Sequence, residues 1–349
     1  TEDYVKKFKK KIDIRYLSIS QQEKYFSSNI DKKNFINFFP YNSGSRKMIG
    51  NMIAALEGAE GCIMIDDDNF ILDKTDFLKF HKRINNKIST KILSSSTGWF
   101  NVHSQLIEKT SIPFYPRGFP WSKRFLNEKM KIKNSKSFCH VNAGLVLNDP
   151  DIDAVSRLFW PIVSKNMKNT YGKNFTLSNN TWCPFNDQNT SISKDILKIY
   201  YKPLAGGRNS DIYTSFLINK FLKFIGGGIS FGQPLVRQDR NFHSFRQDYE
   251  LEKLSNNASE LLIEVLREVE IKNSNTDVLN LFYNFLKECV KITNNKKFDE
   301  TRYHLSDHEY VPNIKDHKIE FNIHKKYIIS YLKEYLEFVR VTINLNNAN

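Results

Sequence analysis

An apolar segment that ends in three consecutive carboxylates constrains this chain more than any other feature. Residues 62–65 are apolar, and Asp66, Asp67 and Asp68 follow them directly. Burying a carboxylate without a partner is costly, so the predicted strand must carry these acids to water or to a cation. Ligands bind at the carboxyl edge of open α/β sheets, and clustered oxygens suit Mg²⁺ or Mn²⁺. An acidic turn that caps the next helix is the structural alternative.

The composition is ordinary for a globular protein with a large core. The 349 residues are 40% hydrophobic and include 27 Phe and 16 Tyr, and this length predicts two domains or one α/β domain with additions. The formal charge of +14 raises the question of a nucleic-acid partner. Because the lysines are spread through Asn- and Ile-rich stretches without a recognisable nucleic-acid motif, we predict no such partner.

Three further features concern location. The chain has no run of about 18 apolar residues, its first residues lack a signal-peptide pattern, and its four cysteines show no metal-ligand spacing. These features predict a reduced, cytoplasmic protein. The densest basic run, residues 6–11, favours a solvated helix face, and its charge also suits attraction to a phosphate-rich or membrane surface.

Hydrophobic periodicity predicts an α/β domain. A helix over residues 46–57 precedes the strand that ends at the acidic triplet, which is the order found in half a βαβ unit. The predicted strands are 12–17, 62–65, 92–95, 141–147, 182–189 and 229–236. No clear strand precedes the helix-like segment 4–11, so we expect the first strand of the sheet upstream of Thr1.

The pattern changes near residue 249, where helical periodicity with charged faces begins. The predicted helices are 251–269, 278–290 and 323–341. We therefore predict an α/β catalytic domain over residues 1–248 and a helical C-terminal region over residues 249–349. Peripheral membrane association, homo-oligomerisation and simple buttressing all fit these helices.

The segment 114–124 combines aromatic residues with two arginines. Arg117 lies between Pro116 and Gly118, and Arg124 follows shortly after. A rigid loop that presents cations among aromatic rings suits an anion or a sugar. A packed aromatic turn with surface arginines is the structural alternative, and the segment taken alone slightly favours it.

Two further acidic positions lie where helices are predicted to begin. Asp211 follows a Gly-Gly-Arg segment at the start of a helix, where its anion is stabilised and suits a general base, a contact to an acceptor hydroxyl or a simple cap. Asp149, Asp151 and Asp153 surround Pro150. This arrangement favours a capped helix start over a second metal site.

In combination, these segments resemble a known family over roughly residues 35–245. They are similar to the reversibly glycosylated polypeptide and UDP-arabinopyranose mutase family and to the STELLO-type glycosyltransferases of plants. The STELLO-like motifs are residues 17–22, 39–43 and Arg46-Lys47. The mutase-like motifs are Asp66-Asp67-Asp68, Phe100-Asn101, Arg117-Gly118-Phe119-Pro120, Ser122 with Arg124, Gly144-Leu145 with Asp151 and Asp153, Asn189, and Gly207-Arg208 with Asp211.

The resemblance implies an α/β, Rossmann-like GT-A nucleotide-diphosphosugar transferase fold with a C-terminal helical appendage. It implies that Asp66 and Asp68 hold a Mn²⁺ or Mg²⁺ that neutralises the departing diphosphate. Arg117 matches the arginine that becomes glycosylated in the mutases, and Arg124 matches a second essential arginine. Asp211 matches the acid on the acceptor side. The implied partners are a nucleotide sugar, above all a UDP-sugar, and a glycan acceptor.

The resemblance also implies a set of residues that contact the nucleotide sugar. These are Arg46, Asp66, Asp67, Asn101, Asn142, Asn189 and Arg208. The sequence departs from the mutase pattern after the last strand, where the mutases have a histidine that serves as a further metal ligand. Gln238 stands at that place, and His243 is the nearest substitute for the third ligand.

Three functions are therefore expected, in decreasing order. The first is a metal-dependent glycosyltransferase that uses an external glycan or other acceptor. The second is a pyranose–furanose mutase in which Arg117 transiently carries the sugar. The third is a non-catalytic, basic sugar- or nucleic-acid-binding module, which has little use for a buried acidic triplet. The sugar, the base and the stereochemical outcome do not follow from the sequence.

Overall fold

The computed structural model describes residues 2–9, 11, 13–27, 30, 32–109, 112–242, 244–272, 277–300 and 314–348. Within these residues, the protein is a mixed α/β structure with a central sheet. The α-helices are α1 Glu2–Phe8, α2 Ile19–Phe26, α3 Lys32–Phe38, α4 Met48–Leu56, α5 Lys74–His81, α6 Ala154–Phe159, α7 Lys194–Leu197, α8 Ser210–Ile225, α9 Phe245–Glu268, α10 Val278–Asn295 and α11 Ile314–Ala348. The strands are β1 Gly61–Ile65, β2 Asn69–Ile71, β3 Lys87–Ser95, β4 Leu106–Glu108, β5 Met130–Asn148, β6 Ser164–Met167, β7 Asn174–Leu177, β8 Asn189–Ser193 and β9 Gly228–Gln238. Short 3₁₀ helices lie at Gly44–Lys47, Val102–Gln105, Trp121–Lys123 and Leu204–Asn209.

The sheet is mixed. Its strands follow the order β1-β8-β5-β3-β7-β9-β2, and β4 joins through β6. The pairs β3–β7 and β5–β9 are parallel, and the other pairings of the described strands are antiparallel. The α/β class with a C-terminal helical part is thus confirmed, whereas the Rossmann-like GT-A fold stays a prediction.

Strand β5 is much longer than the sequence indicates. It extends over 19 residues, pairing first with β3 and then with β8 and β9. The predicted segment 141–147 lies in the second half, where most residues are buried. The first half is polar and largely exposed, so alternation of apolar and polar residues does not reveal it.

Two predicted strands are wrong. Residues 13–17 of the predicted strand 12–17 form no strand, and residue 12 lies outside the described residues. Within this segment, Arg15 Nη1 donates to Glu57 Oε1 at 2.8 Å. Of the segment 182–189, only the last residue belongs to a strand, β8. Pro184 lies inside that segment and has no N–H for a ladder hydrogen bond, which opposes a central strand.

The C-terminal helices α9, α10 and α11 pack on the α/β part and share its hydrophobic core. The ring of Tyr201 stacks on Phe338 of α11 with centroids 3.9 Å apart, and the hydroxyl of Tyr335 donates to Ile199 O at 2.6 Å. These contacts give the helices a buttressing role. The predicted boundary at 248/249 falls inside α9. None of the helices in the described ranges is both long and apolar enough to cross a membrane.

Candidate functional site

The sheet topology brings separate acidic segments to one edge. Strands β1 and β5 both run antiparallel to β8, which lies between them, and β5 runs parallel to β9. The carboxyl ends of β1, β5 and β9 therefore point to the same edge, and β8 begins there. Asp66 follows β1, Asp151 follows β5, Gln238 ends β9 and Asp187 precedes β8. The expectation that the acidic triplet lies at a carboxyl edge of the sheet agrees with this arrangement.

A cleft of about 470 Å³ opens at this edge. The loop before α4 forms one wall, and the segment that leads into α8 forms another. The charged residues lining the cleft are Asp66, Asp68, Arg117, Asp151, Asp187, Lys202, Arg208, Asp211 and Arg240. Five carboxylates and four cations thus face one volume, so nearly every charge has a counter-charge nearby.

Arg117 is buried, 8% exposed, between two carboxylates. Its Nε lies 2.9 Å from Asp151 Oδ1, and its Nη2 lies 2.8 Å from Asp211 Oδ2. Its Nη1 donates to Arg208 O, to Asn209 Oδ1 and to Asp211 Oδ1. Every guanidinium nitrogen therefore has a protein acceptor. The two carboxylates hold the pKa of Arg117 well above its ordinary value despite burial.

Asp211 is the second residue of α8 and faces the cleft. Burial raises the pKa of Asp211, and the nearby Asp187 and Asp151 add to this shift, while Arg117 opposes it. Because burial and two nearby acids disfavour its anion, Asp211 accepts a proton more readily than an ordinary carboxylate does. Its position fits the general base or acceptor contact predicted from the sequence.

Asp187 is buried and holds two lysines at the cleft. Lys202 Nζ lies 2.7 Å from Asp187 Oδ2, and Lys47 Nζ lies 3.7 Å from the same oxygen. Burial alone would raise the pKa of Asp187, but Lys202 and Lys47 outweigh it and lower this pKa to about 2. Lys47 also binds Asp66 Oδ1 at 2.5 Å. This cluster therefore ties the end of β1 to the start of β8.

Asp68 and Gln238 are the residues at the cleft that best suit a cation. Gln238 Nε2 donates to Asp68 Oδ2 at 3.0 Å, which leaves Asp68 Oδ1 and Gln238 Oε1 buried without hydrogen-bond partners. Oxygen ligands of this kind fit Mg²⁺ or Mn²⁺. No group of three His, Cys, Asp or Glu side chains within the described ranges is suited to hold a metal ion. Such an ion would therefore take further ligands from Gln238, water or phosphate.

Helix α9 supports two arginines of the cleft. Arg208 Nη1 lies 3.0 Å from Asp248 Oδ1, and its Nε lies 3.2 Å from Glu252 Oε1. Arg240 Nη2 lies 3.4 Å from Asp248 Oδ2. Glu252 also accepts the backbone N–H of Ala154, the first residue of α6, at 2.9 Å. The start of the helical region is therefore part of the site's structure.

Of the predicted site residues, Asp66, Asp68, Arg117, Arg208 and Asp211 line the cleft together. Asp67 is exposed in the turn after β1 and is not among the residues that line it. His243 lies outside the described residues.

The two other predicted arginines lie away from the cleft. Arg124 binds Asp153 Oδ2 at 2.8 Å and stacks over the ring of Trp121 at 3.9 Å, so it fixes the aromatic loop to the start of α6. Asp153 caps that helix through the N–H of Ser156, which confirms the predicted helix start. Arg46 donates to Phe39 O at 2.7 Å. The neighbouring Lys47 reaches Asp66 in its place.

The three predicted asparagines are buried and have protein partners. Asn101 donates to Phe114 O at 2.8 Å, Asn142 donates to Phe80 O at 2.7 Å, and Asn189 donates to Leu145 O at 3.0 Å. None of the three is among the residues that line the cleft. Their side chains connect loops and strands behind it.

Sequence reasoning assigned no site role to five charged residues: Lys47, Asp151, Asp187, Lys202 and Arg240. Lys47 adjoins Arg46 and lies within a motif that carries the resemblance, and Asp187 lies two residues before Asn189. Lys202 and Arg240 stand in segments without a recognisable motif. Only the topology of β8 and β9 brings them to this edge.

Neither a protein-family model nor a curated protein matches this sequence. The geometry and chemistry of the cleft therefore carry the functional interpretation.

Proposed function

We propose that this protein is a metal-dependent GT-A glycosyltransferase, which transfers a sugar from a nucleotide-sugar donor to a glycan or other acceptor. The observation that supports this proposal most is the convergence of Asp66, Asp68, Arg117, Arg208 and Asp211 on one cleft. These residues come from three separate segments that resemble glycosyltransferase motifs. A chance resemblance gives no reason for them to share a volume.

The position of the cleft agrees with a nucleotide-sugar site. It lies where the carboxyl ends of β1, β5 and β9 meet, which is where α/β sheets bind ligands. A volume of about 470 Å³ falls within the range of small-molecule sites. The GT-A fold is the architecture that this arrangement supports.

Asp68, Gln238 and Asp66 are the residues that would hold a Mn²⁺ or Mg²⁺. When bound, the ion supplies Lewis-acid stabilisation of the charge on the departing diphosphate. Cationic side chains of the protein would stabilise the remaining negative charge of the diphosphate. Asp248 contacts Nη1 of Arg208 and Glu252 contacts its Nε. Arg208 would offer its other N–H groups to phosphate oxygens.

Asp211 is the proposed general base. The bond between the sugar's anomeric carbon and the diphosphate oxygen breaks, the acceptor oxygen bonds to that carbon, and the acceptor's proton passes to Asp211. Burial and neighbouring acids, which raise the pKa of Asp211, make this carboxylate a stronger base. Arg117 orients it through both carboxylate oxygens.

The geometry of Arg117 favours a transferase over a mutase. A mutase needs a guanidinium nitrogen that attacks the sugar, and a protonated guanidinium has no free lone pair for attack. Asp151 and Asp211 flank Arg117 and stabilise its protonated form. Arg117 therefore suits a scaffold for Asp211 better than a carrier of the sugar.

Thermal unfolding with a panel of nucleotide sugars, with and without Mn²⁺, tests the proposal. We expect one nucleotide class to raise Tm only when Mn²⁺ is present, and Asp68→Asn to abolish this rise. Asp67→Asn is the matched control, because it makes the same charge change on an exposed neighbour. If no nucleotide sugar changes Tm under either condition, the enzyme interpretation fails. Stable labelling of the protein by a UDP-sugar, lost in Arg117→Ala, would favour the mutase.

A further inference from the structure

We propose that Arg240 is a phosphate-binding residue of the cleft and that Asp248 of α9 positions it. This inference rests on the proposed function, because the phosphate would be the diphosphate of the donor. Arg240 follows the carboxyl end of β9 by two residues and lines the cleft. It lies outside every motif that the sequence resemblance covers.

Arg240 is among the least engaged cations of the cleft. Its Nε is buried without a hydrogen-bond partner and lies 3.8 Å from Asp149 Oδ2. Its Nη2 reaches Asp248 only at 3.4 Å. In Arg117, by contrast, all three nitrogens donate to protein acceptors. A buried donor without an acceptor is costly, and a bound phosphate oxygen would supply the missing acceptor.

The surroundings of Arg240 also favour an anion. Asp149 contacts both Arg157 and Arg240, and Asp248 contacts both Arg208 and Arg240, so three arginines lie close together. Cations that lie this close repel one another, and an anion shared by Arg208 and Arg240 relieves the repulsion. Planar guanidinium groups also match the geometry of phosphate oxygens.

The buried acceptors without partners line the same cleft as Arg240. Asp68 Oδ1 and Gln238 Oε1 are buried without hydrogen-bond partners, and Gln238 precedes Arg240 by two residues. A cation satisfies the two oxygens, and a phosphate satisfies Arg240 Nε. A metal-bound diphosphate would therefore satisfy all three atoms at once.

Asp248 is the proposed positioning residue. It is 4% exposed, and its two carboxylate oxygens bind Arg208 at 3.0 Å and Arg240 at 3.4 Å. One buried side chain of α9 thus fixes the separation of both guanidinium groups. The helical region that begins with α9 would then complete the phosphate site as well as buttress the sheet.

Calorimetric titration of the full chain with inorganic pyrophosphate in the presence of Mn²⁺ tests this inference. We expect Arg240→Gln to weaken pyrophosphate binding about 10- to 100-fold, the range for a charged hydrogen bond. Arg246→Gln is the control, because it removes the same charge from an exposed position six residues away. Binding by Arg240→Gln that equals binding by Arg246→Gln would overturn the proposal.

Asp248→Asn tests the positioning role and serves if Arg240→Gln does not fold. It keeps both arginines but loses the charged bridge, so we expect pyrophosphate affinity to fall about 3- to 10-fold. Glu250→Gln, on the exposed face of the same helix, is its control. Uridine has no phosphate, so neither variant should change the affinity of the protein for uridine. A general loss of structure would lower the affinity for uridine as well as for pyrophosphate.

The two proposals fail in distinguishable ways. If the wild-type protein binds a nucleotide sugar with Mn²⁺ but Arg240→Gln binds pyrophosphate as tightly as Arg246→Gln does, the role of Arg240 is wrong and the proposed function stands. If the wild-type protein binds neither pyrophosphate nor any nucleotide sugar, both are wrong.

Discussion

The two ends of the cleft differ in how completely their polar groups are satisfied. At the Arg117 end, every guanidinium nitrogen donates to a protein acceptor, and two carboxylates flank the cation. At the Asp68 end, Asp68 Oδ1, Gln238 Oε1 and Arg240 Nε are buried without hydrogen-bond partners. An unsatisfied buried polar group costs about 1–3 kcal/mol. The Arg117 end therefore holds the fold and Asp211 in place with protein contacts alone, whereas the Asp68 end has unsatisfied groups that the proposed ligand would engage.

Replacing Arg117 should have the largest effect on stability. Arg117→Met removes the shared partner of Asp151 and Asp211 and leaves two buried carboxylates without a counter-charge. We expect the free energy of unfolding to fall by about 3–5 kcal/mol, the range for a broken buried ion pair. Urea denaturation measures this change, with the exposed Arg246→Met as the control. Equal stability of the two variants would contradict the assignment of Arg117 to the scaffold.

Replacing Asp68 should instead affect ligand binding and turnover. Asp68→Asn removes the charge of a carboxylate whose Oδ1 has no protein partner, so we expect the free energy of unfolding to change by less than about 1 kcal/mol. Mn²⁺-dependent release of nucleotide from the donor should fall about 100-fold or more, because several kcal/mol of charge stabilisation are lost. If Asp68→Asn lowered the free energy of unfolding strongly but kept full turnover, Asp68 would serve the fold and not the ligand.

Asp187 should make the free energy of unfolding depend on pH. Lys202 and Lys47 favour its anion and lower its pKa to about 2 in the folded protein, below the ordinary value for an aspartate. A lowered folded pKa adds stability above the unfolded pKa, and this stability is lost as the pH falls through about 2. The contribution is about 2 kcal/mol. The difference in unfolding free energy between wild type and Asp187→Asn should therefore shrink as the pH is lowered from about 5 to about 2. A pH-independent difference would show that the lysines do not stabilise this anion.

Asp67 should have the smallest effect. It lies between the two acids that line the cleft, but its side chain is exposed. Asp67→Asn should change the free energy of unfolding by no more than about 0.5 kcal/mol, as is usual for surface positions, and should leave Mn²⁺-dependent binding unchanged. Denaturation and calorimetry of this variant and of Asp68→Asn show whether Mn²⁺-dependent binding requires Asp68 and not Asp67. If Asp67→Asn lost as much Mn²⁺-dependent binding as Asp68→Asn does, the ion would have to bind at the exposed turn that carries Asp67.

The sequence predicts the parts of this molecule that local chemistry determines. The strand before the acidic triplet, the capped helix start at Asp153 and the C-terminal helices follow from apolar runs, capping residues and periodicity. The strand over 12–17 and the strand over 182–189 were wrong because pairing depends on a neighbouring edge, which no local pattern contains. The polar half of β5 was missed for the same reason.

The site shows the same division. Asp66, Asp68 and Arg117 stand in motifs, so the sequence points to them directly. Lys202 and Arg240 carry no motif, and they reach the cleft only because β8 runs against β1 and β5 while β9 runs with β5. Arg124 and Arg46 illustrate the opposite case: their motifs are recognisable, but their side chains bind protein groups away from the cleft.

A crystal structure of the protein grown with UDP and Mn²⁺ tests the nucleotide-sugar site most directly. The proposed arrangement places the metal against Asp68 and Gln238 and a phosphate oxygen within hydrogen-bond distance of Arg240 Nε, with Arg117 still bound to Asp151 and Asp211. Nucleotide bound elsewhere on the protein, or in the cleft with Asp68 and Arg240 untouched, would contradict it.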